Sequence, residues 1–286
     1  MRIAGLLLAS ALVAGAAVAT AAWDSGAGRS RVSTYKTYFE DGQKNVVDHL
    51  SGAGAEGEAL LDAMNLARDD VVRVRVHYDR RGGTVTTAHG SGFLLRGGAF
   101  VVTAAHVLAI LESRDDAEIE VAFPGGAITN AMCVERTPVA DIDADNDWAV
   151  LAVPPVDGEG RGLVVDAAWG RAGPVAALGF PEQLGLAEDG SVVRDRTEHG
   201  FVMRALAVIA HFDGPRGLAV DAGAVPLGGI SGGPVVNGAG HVVAIDTGVR
   251  SHRAKGGDVT WSLVVNELDG LAEWLREKAP QALFVQ

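Results

Sequence analysis

A serine lies between pairs of glycines in residues 228–234 (GGISGGP). Glycine permits positive φ angles and the close approach of another chain, so the amides beside this serine could face a bound group. One interpretation is that Ser231 is a nucleophile and that the amides of Gly229 and Ser231 form an oxyanion-binding site. The other interpretation is a glycine-rich turn between two strands.

A nucleophilic serine needs a base, and the base needs an acid that orients it. Among eight histidines, His106 follows the apolar stretch FVVTAA at 100–105. It is either a core residue satisfied by a backbone carbonyl or a base at a strand end. Of the acidic residues in 141–147, Asp147 leads directly into the apolar stretch WAVLAV. A carboxylate at the mouth of a buried strand could hold the imidazole Nδ1–H and leave Nε2 free for a serine.

Short strands must position these residues. From Val71 onward apolar and polar residues alternate, which is typical of half-buried strands. Strands are predicted at 71–77, 84–88, 91–95, 99–103, 117–123, 127–135, 148–153, 174–180, 191–193, 200–210, 217–221, 234–237, 241–248 and 259–265. Many short strands with glycine turns predict an all-β fold, a sandwich or a pair of barrels, and not βαβ units. The stretch from Pro154 to Gly162 is the best internal boundary.

Two helices are expected outside the strands. Residues 58–67 carry apolar side chains at helical spacing. Near the end of the sequence, Asn266 can cap a helix that buries Leu268, Leu271 and Leu275 and that Pro280 ends.

Three stretches together resemble a known family. TAAH at 103–106, NDWAVL at 146–151 and GISGGP at 229–234 are similar to the His, Asp and Ser motifs of trypsin-like (chymotrypsin-fold) serine peptidases, in that family's order. The resemblance extends over roughly residues 70–265. It implies two six-stranded antiparallel barrels, at about 70–155 and 163–265, with the site in the cleft between them.

The resemblance also implies a role for each site residue. Ser231 attacks a peptide carbonyl, His106 takes and returns the proton, and Asp147 orients His106. The amides of Gly229 and Ser231 hold the oxyanion. The implied partner is a polypeptide substrate, and the reaction needs no cofactor and no metal.

Departures from the digestive enzymes narrow the resemblance. Ile230 stands where trypsin and its relatives carry an aspartate that pairs with a freed N-terminus, so that activation device is not expected. The sequence is more similar to the bacterial HtrA-like and glutamyl-endopeptidase-like branches, but without a PDZ domain after Val265. Val225 stands where the family sets the floor of the specificity pocket. With Thr247 it is assigned to substrate binding, and an apolar floor predicts small or medium aliphatic residues before the scissile bond.

Other function classes are less well supported. GISGG at 229–233 also matches the serine elbow of α/β-hydrolases, but that fold needs a helix directly after the serine, which Pro234 opposes. The histidines are scattered without a metal-binding spacing. A trypsin-fold domain that binds without turnover remains the alternative from another class.

Composition limits the possible partners and compartments. The net charge of -12 and the pI of about 5.0 argue against nucleic acid as the main partner. An apolar content of 48% and a charged content of 21% are those of a globular protein. Cys133 is the single cysteine, so the chain is expected to fold without an internal disulfide.

The first residues predict export. Met1-Arg2 precedes an uncharged run, 3–22, whose end places Ala19 and Ala21 before a cleavage site, as in a secretory signal peptide. The protein is therefore expected outside the cytoplasm, periplasmic or secreted. The run is also long enough to span a bilayer, which leaves an uncleaved membrane anchor open. The predicted organisation is 1–22 signal peptide or anchor, 23–69 extension with a short helix, 70–265 peptidase domain and 266–286 terminal helix and tail.

Overall fold

The computed structural model describes twelve ranges of the chain. They are 54–80, 84–124, 127–143, 146–155, 161–170, 173–180, 183–186, 192–194, 206–212, 217–220, 229–253 and 259–284. The expected signal peptide or anchor at 1–22, the expectation for 23–53 and the substrate-binding assignment of Val225 lie outside these residues.

The first sheet contains six strands. They are β1 (Val71–Arg80), β2 (Thr84–Leu94), β3 (Phe100–Thr103), β4 (Glu118–Ala122), β5 (Ile128–Arg136) and β6 (Ala149–Ala152). The strands pair in the order β1-β2-β3-β6-β5-β4, and β4 pairs back onto β1, so the sheet is a closed antiparallel barrel. The predicted six-stranded barrel in this half of the chain is confirmed.

The second large sheet also contains six strands. They are β7 (Val175–Gly179), β10 (Leu206–Phe212), β11 (Gly217–Val220), β12 (Pro234–Asn237), β13 (Val242–Arg253) and β14 (Val259–Asn266). The order is β10-β11-β14-β13-β12-β7, all antiparallel, and β7 pairs with both β12 and β10. A separate two-stranded sheet joins β8 (Gln183–Leu186) to β9 (Val192–Arg194).

Some local predictions differ from the structure. The stretches 84–88 and 91–95 form one continuous strand, β2, because the partner strand β1 pairs across Gly90 without interruption. Strand β13 runs on to Arg253, where it forms a long ladder with β14. A 3-10 helix, Ala105–Glu112, follows β3 and was not expected. The two strand differences depend on pairing with the neighbouring strand, which the residues of one segment alone do not show.

Two α-helices pack outside the strands. Helix α1 (Gly54–Ala67) buries Leu60 and Met64, which confirms the helix expected at 58–67. Helix α2 (Asp269–Lys278) buries Leu271 and Leu275 and ends before Pro280. The expected capping by Asn266 is wrong, because Asn266 is the last residue of β14 and Leu268 occupies the N-cap position.

Two apolar clusters form the core. One fills the first barrel, with alternate residues of β1 (Val72, Val74 and Val76) packed against residues of β3, β4 and β6. The other joins residues from Leu60 in α1 to Ala282 beyond α2, and it includes Val236 and Ile245 from the second sheet. The two α-helices and the second sheet therefore share one apolar core.

Asp70 holds the segment that connects the first sheet to the second, at Arg161 and Gly162. Its carboxylate bonds Arg161 Nε at 2.7 Å and accepts the Gly162 N–H at 2.9 Å. Leu163 then forms an isolated parallel bridge with Leu95, directly after β2. Within the described ranges, no helix is long and apolar enough to cross a membrane.

Candidate active site

His106 and Asp147 are joined by two hydrogen bonds. Nδ1 of the His106 ring lies 2.7 Å from Asp147 Oδ2, and the His106 backbone N–H donates to Asp147 Oδ1 at 2.9 Å. The side chain of Asp147 is 6% exposed and that of His106 is 28% exposed. A buried carboxylate therefore holds the imidazole through Nδ1, and Nε2 is the ring nitrogen left for a further partner.

The local backbone explains the second of these bonds. Strand β3 ends at Thr103, Ala104 is extended, and the 3-10 helix begins at Ala105. The first N–H groups of a helix have no partner within it, so the amide of His106 is available to a carboxylate. The N-cap residue itself, Ala104, has no capping side chain, so the acceptor comes from Asp147 in another segment.

Asp147 is fixed by the residues on either side of it. Before it, the Asn146 side-chain oxygen accepts a hydrogen bond from Thr137 Oγ1 at 3.1 Å. After it, the carbonyl of buried Trp148 accepts the Thr137 N–H at 3.0 Å, and β6 begins at Ala149. Asp147 thus lies at the entrance of a buried strand, as the sequence predicted.

The Ser231 segment is a tight turn that β13 holds in place. Gly229 and Gly232 have φ angles of 98° and 90°, a region that side chains other than glycine rarely adopt. The Gly233 N–H donates to the Ile230 carbonyl at 2.9 Å. Asp246 in β13 brackets the turn, because its carbonyl accepts the Gly232 N–H at 2.6 Å and its N–H donates to the Gly233 carbonyl at 2.9 Å.

The Ser231 and His106 segments lie side by side. A Cβ added to Gly232 would overlap the Ser91 carbonyl oxygen and Thr103 Oγ1, and it would come within 2.7 Å of the Ala104 nitrogen. A Cβ added to Gly90 would lie 2.6 Å from Val107 and 3.0 Å from the carbonyl oxygen of Ser231. Val107, next to His106, and the Ser231 main chain therefore both lie against β2 near Gly90.

Ser91 in β2 is a site residue that the sequence reasoning missed. It is fully buried, its N–H donates to the Ser231 carbonyl at 2.7 Å, and its Oγ donates to the Gly229 carbonyl at 2.7 Å. The available signal was a serine between two glycines, Gly90 and Gly92, directly before the apolar stretch FLL at 93–95.

Thr247 lies beside the site and is half-buried. Its Oγ1 donates to the carbonyl of Val264 in β14 at 3.1 Å, so the hydroxyl hydrogen is bound to the main chain. The other residue assigned to substrate binding, Val225, is outside the described residues. The structure therefore places Thr247 next to the bracketing residue Asp246 and leaves the pocket assignment as a prediction.

Asp246 is fully buried although it is a carboxylic acid. Oδ1 accepts the Gly248 N–H at 3.2 Å, whereas Oδ2 has no hydrogen-bond partner. Burial raises the pKa of Asp246 to about 8, and the Gly248 hydrogen bond opposes this in part. Near neutral pH the side chain in the folded protein is therefore mostly an uncharged acid.

Comparison with known families agrees with this arrangement. A family model described as a trypsin-like peptidase domain matches residues 90–245, from the strand that carries Ser91 to the residue before Asp246. The chain belongs to the trypsin-like peptidase family. The family supports a protease that acts on polypeptides through a serine. No curated protein matches the chain.

The trypsin-like peptidase match spans all three sequence motifs, which begin at Thr103, Asn146 and Gly229. In the part of this peptidase that the structure describes, no group of three or more His, Cys, Asp or Glu side chains is placed to hold a metal ion. The chemistry that the described residues can supply is therefore that of an imidazole, a carboxylate and a hydroxyl.

Proposed function

We propose that the chain is an exported serine endopeptidase that hydrolyses peptide bonds through an acyl-enzyme on Ser231. The observation that carries the proposal is the paired hydrogen bonding of His106 to Asp147 beside the turn that contains Ser231. An imidazole with a bound Nδ1 is a base of fixed orientation, which a neighbouring serine needs to become nucleophilic.

The proposed reaction has two halves. The Ser231 Oγ attacks the carbonyl carbon of the peptide bond, and its proton passes to Nε2 of His106. The C–N bond then breaks, His106 gives the proton to the leaving amine, and an acyl ester remains on Ser231. Water attacks the ester, gives a proton to His106 and releases the acid, and His106 returns the proton to Ser231.

The backbone amides of Gly229 and Ser231 form the proposed oxyanion site. Amide donors that are already directed at the position of the developing charge stabilise the tetrahedral intermediate by about 3 kcal/mol each. The positive φ of Gly229 supports this assignment, since it lets the turn present its main chain closely.

Regulation and specificity follow from the residues beside the nucleophile. Ile230 is 3% exposed and apolar, so it offers no carboxylate to a freed N-terminus. We place the chain near the HtrA-like and glutamyl-endopeptidase-like peptidases. Val225 and Thr247 are the proposed pocket residues, with small or aliphatic residues preferred before the scissile bond. Peptide-library profiling tests this preference, and strong selection for Arg, Lys or Glu would contradict it.

A covalent probe tests the central proposal. A fluorophosphonate should label the folded wild-type protein, and Ser231→Ala and His106→Ala should both abolish the labelling. Ser113→Ala is the matched control, because Ser113 is an exposed serine whose Oγ donates to the Ile110 carbonyl. Folded wild-type protein that resists the probe and hydrolyses no peptide would indicate the alternative, a trypsin-fold module that binds without turnover.

Export is a separate part of the proposal and needs its own test. We propose that residues 1–22 direct the chain out of the cytoplasm, to the periplasm or the medium. Expression in a bacterial host followed by mass spectrometry should find an N-terminus just after Ala21 or Ala22 in the extracytoplasmic fraction. An uncleaved chain in the membrane fraction would indicate that residues 1–22 are a membrane anchor and not a signal peptide. An uncleaved chain in the cytoplasm would contradict export.

The domain organisation completes the proposal. We propose one peptidase domain over 70–265, with barrels at about 70–155 and 163–265. The ring of pairings in the second sheet supports the second barrel. The extension at 23–69 and the tail at 266–286 then pack outside the domain through α1 and α2.

A further inference from the structure

Ser91 is a buried serine that the proposed reaction does not use directly. We propose that it is a positioning residue that holds the oxyanion-binding amide of Gly229 in its productive direction. The inference deepens the proposed function and rests on it. It is carried by the hydrogen bonds that Ser91 makes on both sides of Ile230.

The direction of the Ser91 hydroxyl is fixed by valency. Its Oγ lies 2.8 Å from the Phe180 backbone nitrogen and 2.7 Å from the Gly229 carbonyl oxygen. The Phe180 N–H can only donate, and a carbonyl can only accept. The single hydroxyl hydrogen must therefore be directed at Gly229. Because Ser91 is 0% exposed, no solvent competes for it.

Gly229 needs such a partner because its own conformation is weakly restrained. With a φ of 98° and no side chain, it can exchange between several backbone conformations at little cost. Holding its carbonyl restricts the two torsions that relate the carbonyl to the amide of the same residue. The Gly229 N–H is thereby limited to a smaller range of directions, and an oxyanion donor must be held in a fixed direction before the reaction begins.

The same residue also fixes the serine. The Ser91 N–H donates to the Ser231 carbonyl at 2.7 Å, so one residue of β2 holds the chain on both sides of Ile230. Small neighbours make this approach possible: a Cβ on Gly179 would lie 2.9 Å from Ser91 Oγ. The first barrel thus sets the shape of a turn that belongs to the second sheet.

Ser91→Ala tests the inference through kinetics and inhibitor binding. We expect kcat on a chromogenic peptide substrate to fall about 10²-fold, with KM changed less than about threefold. The affinity for a peptide aldehyde, whose adduct places an oxyanion in the site, should fall in parallel with kcat. Loss of structure alone would lower activity only in proportion to the unfolded fraction, which near-UV circular dichroism measures.

Asn237→Ala is the matched control for the loss of buried hydrogen bonds. Asn237 is buried, and its side-chain oxygen accepts the N–H groups of Ala239 and His241 at 3.0 Å and 3.1 Å. This variant should unfold at a lower denaturant concentration and keep its kcat. A Ser91→Ala protein with wild-type kcat and aldehyde affinity would overturn the inference while the proposed function stands.

A second substitution covers the case in which Ser91→Ala does not fold. Ser91→Cys retains a weaker donor, so its kcat should lie below that of the wild type, and a wild-type value would overturn the inference. If the folded wild-type protein itself neither hydrolyses peptides nor reacts with the fluorophosphonate, the proposed function fails and the role of Ser91 falls with it.

Discussion

Asp147 binds His106 twice, through the ring Nδ1 at 2.7 Å and through the backbone N–H at 2.9 Å. The two carboxylate oxygens are both used, one for each bond. The carboxylate therefore fixes the imidazole and also the start of the 3-10 helix that carries it. This double contact leads to the first prediction.

Asp147→Asn should lower kcat by about 10⁴-fold at neutral pH. An amide cannot accept from both nitrogens, and its NH2 group favours the wrong imidazole tautomer. Steady-state hydrolysis of a peptide substrate measures the effect, with circular dichroism to verify folding. Asp141→Asn is the control, since Asp141 is an exposed carboxylate in the same acidic loop. Equal losses in the two variants would contradict the assignment of Asp147.

Gly232→Ala should destabilise the protein by about 3 kcal/mol or more. The new Cβ would meet a φ of 90° and would overlap the Ser91 carbonyl oxygen and Thr103 Oγ1. Denaturant unfolding measures the change. Gly238→Ala is the comparison, because its nearest neighbour would be 3.5 Å away. We expect that variant to change stability by less than about 1 kcal/mol, and similar losses at both positions would contradict the packing argument.

Asp246→Asn should change how stability depends on pH. The pKa of Asp246 is raised to about 8 in the folded protein, against about 4 for an unfolded carboxyl. As pH rises from about 4 to about 8, the unfolded chain loses a proton that the folded protein keeps, so the wild type is progressively destabilised. Asparagine has no proton to lose, and this part of the pH dependence disappears.

The size and range of this effect are defined. Relative to the wild type, Asp246→Asn should gain up to about 1.4 kcal/mol of unfolding free energy per pH unit within that window. Above about pH 8 the difference should stop growing. Urea unfolding at several pH values between about 4 and about 9 measures it. A difference that does not change with pH would mean that the buried acid is already ionised.

Asp70→Ala should destabilise the protein by about 1 to 3 kcal/mol. It removes the acceptor of the Arg161 Nε hydrogen bond and leaves the buried Gly162 N–H without its carboxylate acceptor. Thermal or denaturant unfolding measures the loss. Asp69→Ala removes only an exposed ion pair with Arg68 at 3.8 Å, so it should have almost no effect. A large loss for Asp69→Ala would show that the anchoring role is assigned to the wrong residue.

The local spacing of apolar and polar residues was sufficient to predict many features of the fold. The alternation at Val72, Val74 and Val76 predicted β1, and the helical spacing that includes Leu60 and Met64 predicted α1. The position of Asp147 before an apolar strand was also readable, because burial of that strand is encoded in neighbouring residues. These features depend on contacts within one segment.

Features that depend on pairing or contact with another segment could not be predicted from the sequence. Nothing near Gly90 shows that β2 continues through it, since that continuity comes from pairing with β1. Asn266 has the composition of a helix cap, but pairing with Ile245 extends β14 through it. Ser91 gains its role only when Phe180 and Gly229 are brought to its hydroxyl, both far away in the sequence.

The two apolar clusters have different consequences during synthesis. All members of the first cluster lie between Val72 and Val153, so the first barrel can form while later residues are still being translated. The second cluster draws on residues from Leu60 to Ala282, so it is complete only after residue 282 has been synthesised. The turn that contains Ser231 is held by contacts from both sheets. A ribosome-bound chain that ends before Asp246 should therefore present His106 and Asp147 in place but lack the β13 contacts that hold the Ser231 turn, which keeps the nascent peptidase inactive.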